Sequence, residues 1–369
     1  MRRPSSSDRD ALAVWWGSRL ALAVLVLAAS WQLSGATAGT VPGFLERWDR
    51  WDVGLLRKVA EFGYAGYPED YPDRGIEAFF PGFPLVLRLV HTVVPDWTAA
   101  GLLISLLAGS VAMPALARLA ELDGVSGRRA VLALVLSPYA VFLAAGYSEA
   151  LFLACALPGW LAARSGRWRL ASVLLAGTAL VRVSGLFLAV GLVVEYLVVR
   201  RGRPDRDAPW LVLPFLALLG YAGYLYTLTG DWLAWQHAQT VGWGRELTAP
   251  WTALSTTLAA ARNPAESAEY VWSFAAEIVA VAVGVGLTVL LLARRRWGEA
   301  TYVGLSVTAL ATSTYYLSVA RATLLWWPLW VLLAAGAQRW PRLGLGLACV
   351  SVPLMAVGAL TFTHGLWLG

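Results

Sequence analysis

Between Trp48 and Tyr64 the chain reads W-D-R-W-D-V-G-L-L-R-K-V-A-E-F-G-Y, directly after its first long apolar run. Asp49 and Asp52 stand where the chain should leave a bilayer, beside Trp48 and Trp51. A carboxylate partly desolvated by two indoles could take a proton from a hydroxyl group. Transfer of a sugar from a lipid phosphate starts with a competent leaving group. One base for the acceptor and cationic stabilisation of the departing phosphate would then suffice. Hydrolysis of a glycosidic bond instead needs two carboxylates flanking that bond. Asp49 and Asp52, at i and i+3 of one helix, project side by side. The same residues also fit the solvated face of a surface helix balanced by Arg47, Arg50, Arg57 and Lys58.

Other groups that could do chemistry are spread along the chain. Arg182, Arg245 and Arg321 have guanidinium forks that match phosphate oxygens, although each could equally neutralise a carboxylate or snorkel at an interface. In Gly146-Tyr147-Ser148-Glu149, Ser148 reads as a helix N-cap and Glu149 as an acid in the first turn, with a site-lining role as the other option. His237, in W-Q-H-A-Q, could be a base or a ligand, yet no second His or Cys stands near it. A divalent cation could sit among the outer carboxylates, but no metal-ligand spacing marks a place for one. Neither a P-loop nor a dinucleotide fingerprint occurs, which makes a soluble nucleotide sugar a poor donor.

The elements that must position these groups are membrane helices. With 58% hydrophobic and 14% charged residues and a mean hydropathy of +0.61, the chain reads as an all-α polytopic membrane protein. Its apolar runs amount to about eleven spans. The formal charge of +6 comes from arginines clustered between those runs, a pattern that reports orientation and not nucleic-acid binding. Lys58 is the sole lysine, and the richness in Ala, Gly, Trp and Arg suggests a GC-rich bacterial genome. Cys155 and Cys349 both fall in apolar runs and imply no disulfide framework.

The small triplet Ala36-Thr37-Ala38 could pass for a cleavage site, but the long N-terminal region with Trp15 and Trp16 favours a retained first span. Arg-rich connections alternate along the chain, which places the N-terminus in the cytoplasm and the candidate chemistry on the extracytoplasmic side. That alternation requires residues 78–94, with Arg88 and His91, to lie at the interface or re-enter without crossing. The chain is expected to form one integral-membrane domain over residues 1–369. Within it, residues 1–10 read as a flexible cytoplasmic tail, and residues 37–96 and 230–269 as large outer loops. Trp48, Trp51, Leu55, Val59 and Phe62 follow helical spacing, which predicts an interfacial helix with Asp52 nearer the lipid boundary than Asp49 and a stop at Gly63.

Several motifs resemble the PIG-V-like mannosyltransferases, a family of GT-C membrane glycosyltransferases. The resemblance runs through W-D-V-G-L-L-R-K-V-A-E-F-G-Y (51–64), E-A-F-F-P-G-F-P (77–84), S-P-Y-A-V-F-L-A-A-G-Y-S-E-A-L-F (137–152) and V-R-V-S-G (181–185). Weaker echoes are G-D-W-L-A-W-Q-H-A-Q (230–239), W-G-R (243–245) and S-V-A-R at Arg321. Leu55 and Leu56 replace the aromatic or His expected after the W-D, V-R-V-S-G replaces T-R-S-N-G, and Ala322 follows Arg321 where an aromatic is usual.

The resemblance implies a GT-C-like fold with interfacial helices in the first outer loop. It also implies inverting transfer of a hexose, most readily mannose, from a polyprenyl-phosphate donor to a lipid-linked or cell-envelope glycan acceptor at the cell membrane. Asp52 is then the base, Asp49 and Glu77 supporting carboxylates, and Arg321, Arg245 and Arg182 donor-phosphate contacts. Trp51, Tyr147, Ser148, Glu149 and His237 line the site. Two rivals belong to other classes: a non-catalytic subunit of a membrane glycosylation complex, and a lipid or solute transporter, which would carry ionisable groups near the bilayer midplane.

Overall fold

The computed structural model describes residues 6–33, 42–66 and 75–368. Residues 1–5 of the expected tail, the triplet at 36–38 and residues 67–74 of the first loop lie outside it. The described chain is all-α. Its helices begin with α1 (Ser6–Leu33), α2 (Asp52–Phe62), α3 (Gly82–His91), α4 (Trp97–Leu122) and α5 (Gly127–Val135). They continue with α6 (Ser148–Arg164), α7 (Trp168–Val181), α8 (Ser184–Val199), α9 (Leu213–Thr229), α10 (Ala234–Trp243) and α11 (Pro250–Ala260). The last are α12 (Ala268–Ala293), α13 (Trp297–Ala311), the single turn α14 (Val319–Ala322), α15 (Trp327–Arg339) and α16 (Pro341–Thr363).

Five of the described helices, or six if a bent pair counts as one span, are long and apolar enough to cross a membrane. The bent pair, Val319–Leu325 and Trp327–Arg339, turns by 76°. This count is smaller than the number of apolar runs because several runs are broken. The run from Arg129 to Ala145 meets Pro138, which disfavours helix at the preceding residue. It folds as α5 followed by a short 3-10 segment, Ala140–Leu143. Others form helices of 13–17 residues, which reach about 20–26 Å at 1.5 Å per residue, against about 30 Å of hydrocarbon. The ten residues of α3 extend about 15 Å, so this helix is too short to cross alone. The outward faces of the long helices are apolar: Leu20 and Val24 on α1, Val279 and Val289 on α12, and Leu345 and Val350 on α16 are all exposed. Side chains facing lipid have this character, and the protein is a multi-pass membrane protein.

The helices pack as two compact units. The first comprises Met1–Gly54, Val90–Pro158 and Leu324–Leu368. In it α1 lies along α4 and α5, and α15 packs on α5 and α16. Trp15 of α1 is fully buried, and its indole Nε1 donates to the Leu106 carbonyl at 3.0 Å. The ring lies across Gly109, where an added Cβ would stand 1.9 Å from an indole carbon. At the start of α1, Asp8 is buried and takes two hydrogen bonds from Arg118, at 2.7 and 2.8 Å. Residues 6–10, expected to be part of a flexible tail, are instead helical, because a buried carboxylate held by a guanidinium fork fixes the first turn.

The second unit comprises Leu55–Leu89 and Gly159–Thr323. Here α8 packs along α13, α7 packs on both α8 and α9, and α12 lies against α13. Glu299, buried in the first turn of α13, accepts from the Trp160 indole at 3.1 Å and from Arg296 at 2.7 Å.

Gly109→Ala should lower the thermal unfolding midpoint of the purified chain, since overpacking of this kind costs about 1–3 kcal/mol. Adding Trp15→Phe should recover part of the loss. An unchanged midpoint for the single variant would show that the indole is free to move aside.

Candidate active site

The W-D-R-W-D stretch enters its helix through a tight turn. Trp51 adopts a left-handed backbone with φ of 54°, and α2 starts at the next residue, Asp52. The carboxylate of Asp52 therefore belongs to the first helical turn, beside N–H groups that have no intrahelical acceptor. This corrects the helix expected over Trp48–Phe62. Trp48 is buried, but Trp51 and Phe62 are exposed, and the buried face of α2 is Val53, Leu56, Val59 and Ala60. Trp48 and Trp51 precede the helix, so they are not held to its 3.6-residue phase.

Tyr147 holds this turn from the first unit. Its hydroxyl accepts the Asp52 N–H at 3.2 Å and donates to the Arg50 carbonyl at 3.4 Å. The ring is buried and meets Phe142 edge-on at 5.0 Å and Phe362 at 5.8 Å. Phe362 also packs against Trp48 at 6.3 Å. The segment leading to Tyr147 is fixed by α4: Ser105 Oγ donates to the Ala145 carbonyl at 2.6 Å. Gly146 lies so close to Gly101 that a Cβ on either would stand 3.0–3.3 Å from the other's Cα. Val53 Cγ1 is 3.7 Å from the same point at Gly146. Glu149 is fully buried in the first turn of α6, as its sequence position suggested, and Ser148 is buried beside it. Asp49, Trp51, Asp52, Tyr147, Ser148 and Glu149 thus all lie in one packed unit.

The remaining candidates lie in the second unit. Glu77 is half-buried in a 3-10 turn, Ile76–Ala78, whose carbonyls are held by aromatic side chains. Tyr221 Oη lies 2.7 Å from the Glu77 carbonyl and 3.0 Å from that of Phe79. The Trp235 indole donates to the Ala78 carbonyl at 3.2 Å, and Tyr64 donates to that of Phe79. Burial pushes the Tyr64 hydroxyl above its ordinary range, which keeps it a donor. His237, on α10, is exposed and pairs with Asp231 at 2.6 Å. The Leu233 N–H and His237 hold the Asp231 carboxyl below its usual range. Among the described residues no three His, Cys, Asp or Glu side chains group as a metal site would require.

Two of the three cationic candidates lie close together in the chain's packing. Arg245 Nη2 donates to the Leu317 carbonyl at 2.7 Å, and its Nη1 reaches Gln239 Oε1 at 3.4 Å. Arg321 follows four residues later, on α14. Arg182 ends α7 with an extended backbone, within electrostatic reach of Tyr302. The sequence reading missed Glu277. It is fully buried on α12 and accepts the N–H groups of Ser318, Val319 and Ala320 at 2.8, 2.6 and 3.0 Å. The one signal for it was a carboxylate inside an otherwise apolar stretch.

Tyr147→Phe removes both hydrogen bonds to the turn and leaves the ring packing in place. Amide exchange in a peptide covering residues 48–56 should accelerate roughly tenfold, matching about 1 to 1.5 kcal/mol of lost hydrogen bonding. Exchange at the wild-type rate would mean that the hydroxyl does not hold the turn.

Residues 20–200 match the family model described as mannosyltransferase (PIG-V). GPI alpha-1,6-mannosyltransferase 2 of Mus musculus is 35% identical over 166 residues, which cover 42% of this chain and 32% of that protein. The Rattus norvegicus protein of the same name is 32% identical over 175 residues, 44% of this chain and 34% of its own length. The matched stretch thus spans about a third of these relatives. Residues 20–200, which match the family model, contain the turn with Asp49 and Asp52, the Glu77 segment, the Gly146-Tyr147-Ser148-Glu149 motif and Arg182. Over residues 20–200 the chain is thus similar to the mannosyltransferase (PIG-V) family.

Proposed function

We propose that the protein is an inverting membrane glycosyltransferase that moves a hexose, most readily mannose, from a polyprenyl-phosphate donor to a lipid-linked or cell-envelope glycan acceptor. The observation that carries this reading is the turn at 50–52, where a half-buried carboxylate opens a helix and a buried tyrosine anchors the backbone on both sides of Trp51. A general base must be held within reach of the hydroxyl it deprotonates, and such anchoring meets that need. The name of the matched relatives, which specifies mannosyl transfer, supports the choice of sugar.

In this mechanism the acceptor hydroxyl oxygen attacks C1 of the sugar on the face opposite the phosphate. Asp52 takes the hydroxyl proton as the new C1–O bond forms, and the phosphate departs with the electron pair of the old one. One displacement inverts the configuration at C1. The leaving phosphate is stable as an anion and needs positive charge in place of a proton, which Arg321, Arg245 and Arg182 supply. Asp49 and Glu77 are supporting carboxylates, and the exposed indole of Trp51 offers a face for a sugar ring. Tyr147, Ser148, Glu149 and His237 are assigned to the lining of the site. The active site faces the extracytoplasmic side of the cell membrane, with the N-terminus in the cytoplasm.

Membrane vesicles containing the wild-type chain should incorporate label from polyprenyl-phosphate [³H]mannose into lipids or glycans. Vesicles with Asp52→Asn at equal abundance should do so at least about a hundredfold more slowly, the scale of a lost general base. Transfer by Asp52→Asn within twofold of wild type would remove Asp52 from the mechanism.

A further inference from the structure

Glu277 has no exposed surface and lies on an apolar helix of 26 residues, about 14 Å along it from the first residue. A carboxylate in such a place is strongly unfavourable unless its oxygens are hydrogen-bonded. Oε1 accepts from Ser318 N–H at 2.8 Å, and Oε2 accepts from Val319 and Ala320 at 2.6 and 3.0 Å. The backbone gathered there is not one that would form unaided. Ser318 has φ of 61°, a left-handed value that costs a residue with a Cβ. On the preceding peptide, Arg245 Nη2 donates to the Leu317 carbonyl at 2.7 Å. An acid and a base thus fix four successive residues, 317–320, and the residue that follows is Arg321.

We infer that Glu277 and Arg245 form a clamp that sets the position of Arg321, and that this clamp governs how tightly the chain holds a lipid-linked phosphate. The inference rests on the proposed function, in which Arg321 contacts the donor phosphate. Glu277 is a positioning residue, since it touches backbone and no reacting atom. The chemistry requires glutamate here. Both oxygens accept, so a glutamine would turn its NH₂ group toward one or other set of N–H donors whichever way its amide faced. Aspartate is one methylene shorter and could not span the same N–H groups from α12. Arg245, within electrostatic reach of Glu277, offsets part of its charge.

The test is a double-mutant cycle on the full chain in nanodiscs, with undecaprenyl phosphate alone as the binding probe. Glu277→Gln and Arg321→Gln should each weaken binding roughly tenfold, and the double variant should be little weaker than either. In the transfer assay Glu277→Gln should raise the donor KM by about the same factor and change kcat less. A Glu277 that served stability alone would lower the unfolding midpoint and leave binding by the folded protein within about twofold of wild type, and a Glu277 acting independently of Arg321 would give a double variant weakened about a hundredfold; either result overturns the inference. If Glu277→Gln does not fold, Glu277→Asp, which keeps the charge and shortens the reach, takes its place in the cycle with Arg321→Gln and is read by the same criterion. Coupled binding without mannose transfer by the wild type would sustain the clamp and overturn the transferase proposal. No binding of undecaprenyl phosphate by the wild type would overturn both.

Discussion

In an apolar surrounding, a peptide group outside a helix has to find its hydrogen-bond partner within the protein. Most of this structure follows from that constraint. Three irregular segments that carry candidate chemistry are held by side chains reaching from a helix or a packed turn. Tyr147 holds residues 50–52, and Tyr221, Tyr64 and Trp235 hold the carbonyls of residues 77–79. Glu277 and Arg245 hold residues 317–320. Ser105 and Arg19 serve the segment before Tyr147, at the carbonyls of Ala145 and Ala140. Backbone that leaves helical geometry can aim a functional group in ways a helix face cannot. A set of buried donors and acceptors is what makes such departures stable in lipid, so the polar residues of the apolar helices mark where the irregular segments pack.

This also explains which parts of the structure were legible in the sequence. Helix class and membrane character follow from composition, because long apolar runs have few other solutions. Asp52 and Tyr147 were visible as residues, and the first-turn position of Glu149 was readable from the apolar run after it. The bond joining Tyr147 to the Asp52 turn was not, since it links residues 95 apart in the chain. Periodicity placed Trp48 and Trp51 on a helical stripe, whereas the left-handed backbone at Trp51 starts the helix one residue later. No pattern of apolar residues encodes that φ angle; it is imposed by tertiary anchoring. Run length likewise overstated helix length where a run was broken, as at Pro138.

The family match ends at residue 200, short of Arg245, Glu277 and Arg321. In that half physical constraints alone assign the roles, and the constraint is tightest at Glu277. A lone carboxylate within an apolar helix is also what a transporter would display, as a group that binds and releases an ion or a proton. Such a group must be able to change partners or protonation. The oxygens of Glu277 are engaged by three consecutive backbone N–H groups, and turning either oxygen to a new partner would strand at least one of those buried donors. Exchange would therefore require the 317–320 segment to come apart. A carboxylate so placed is suited to holding a backbone still, which is what a chain that must aim a guanidinium at a phosphate requires.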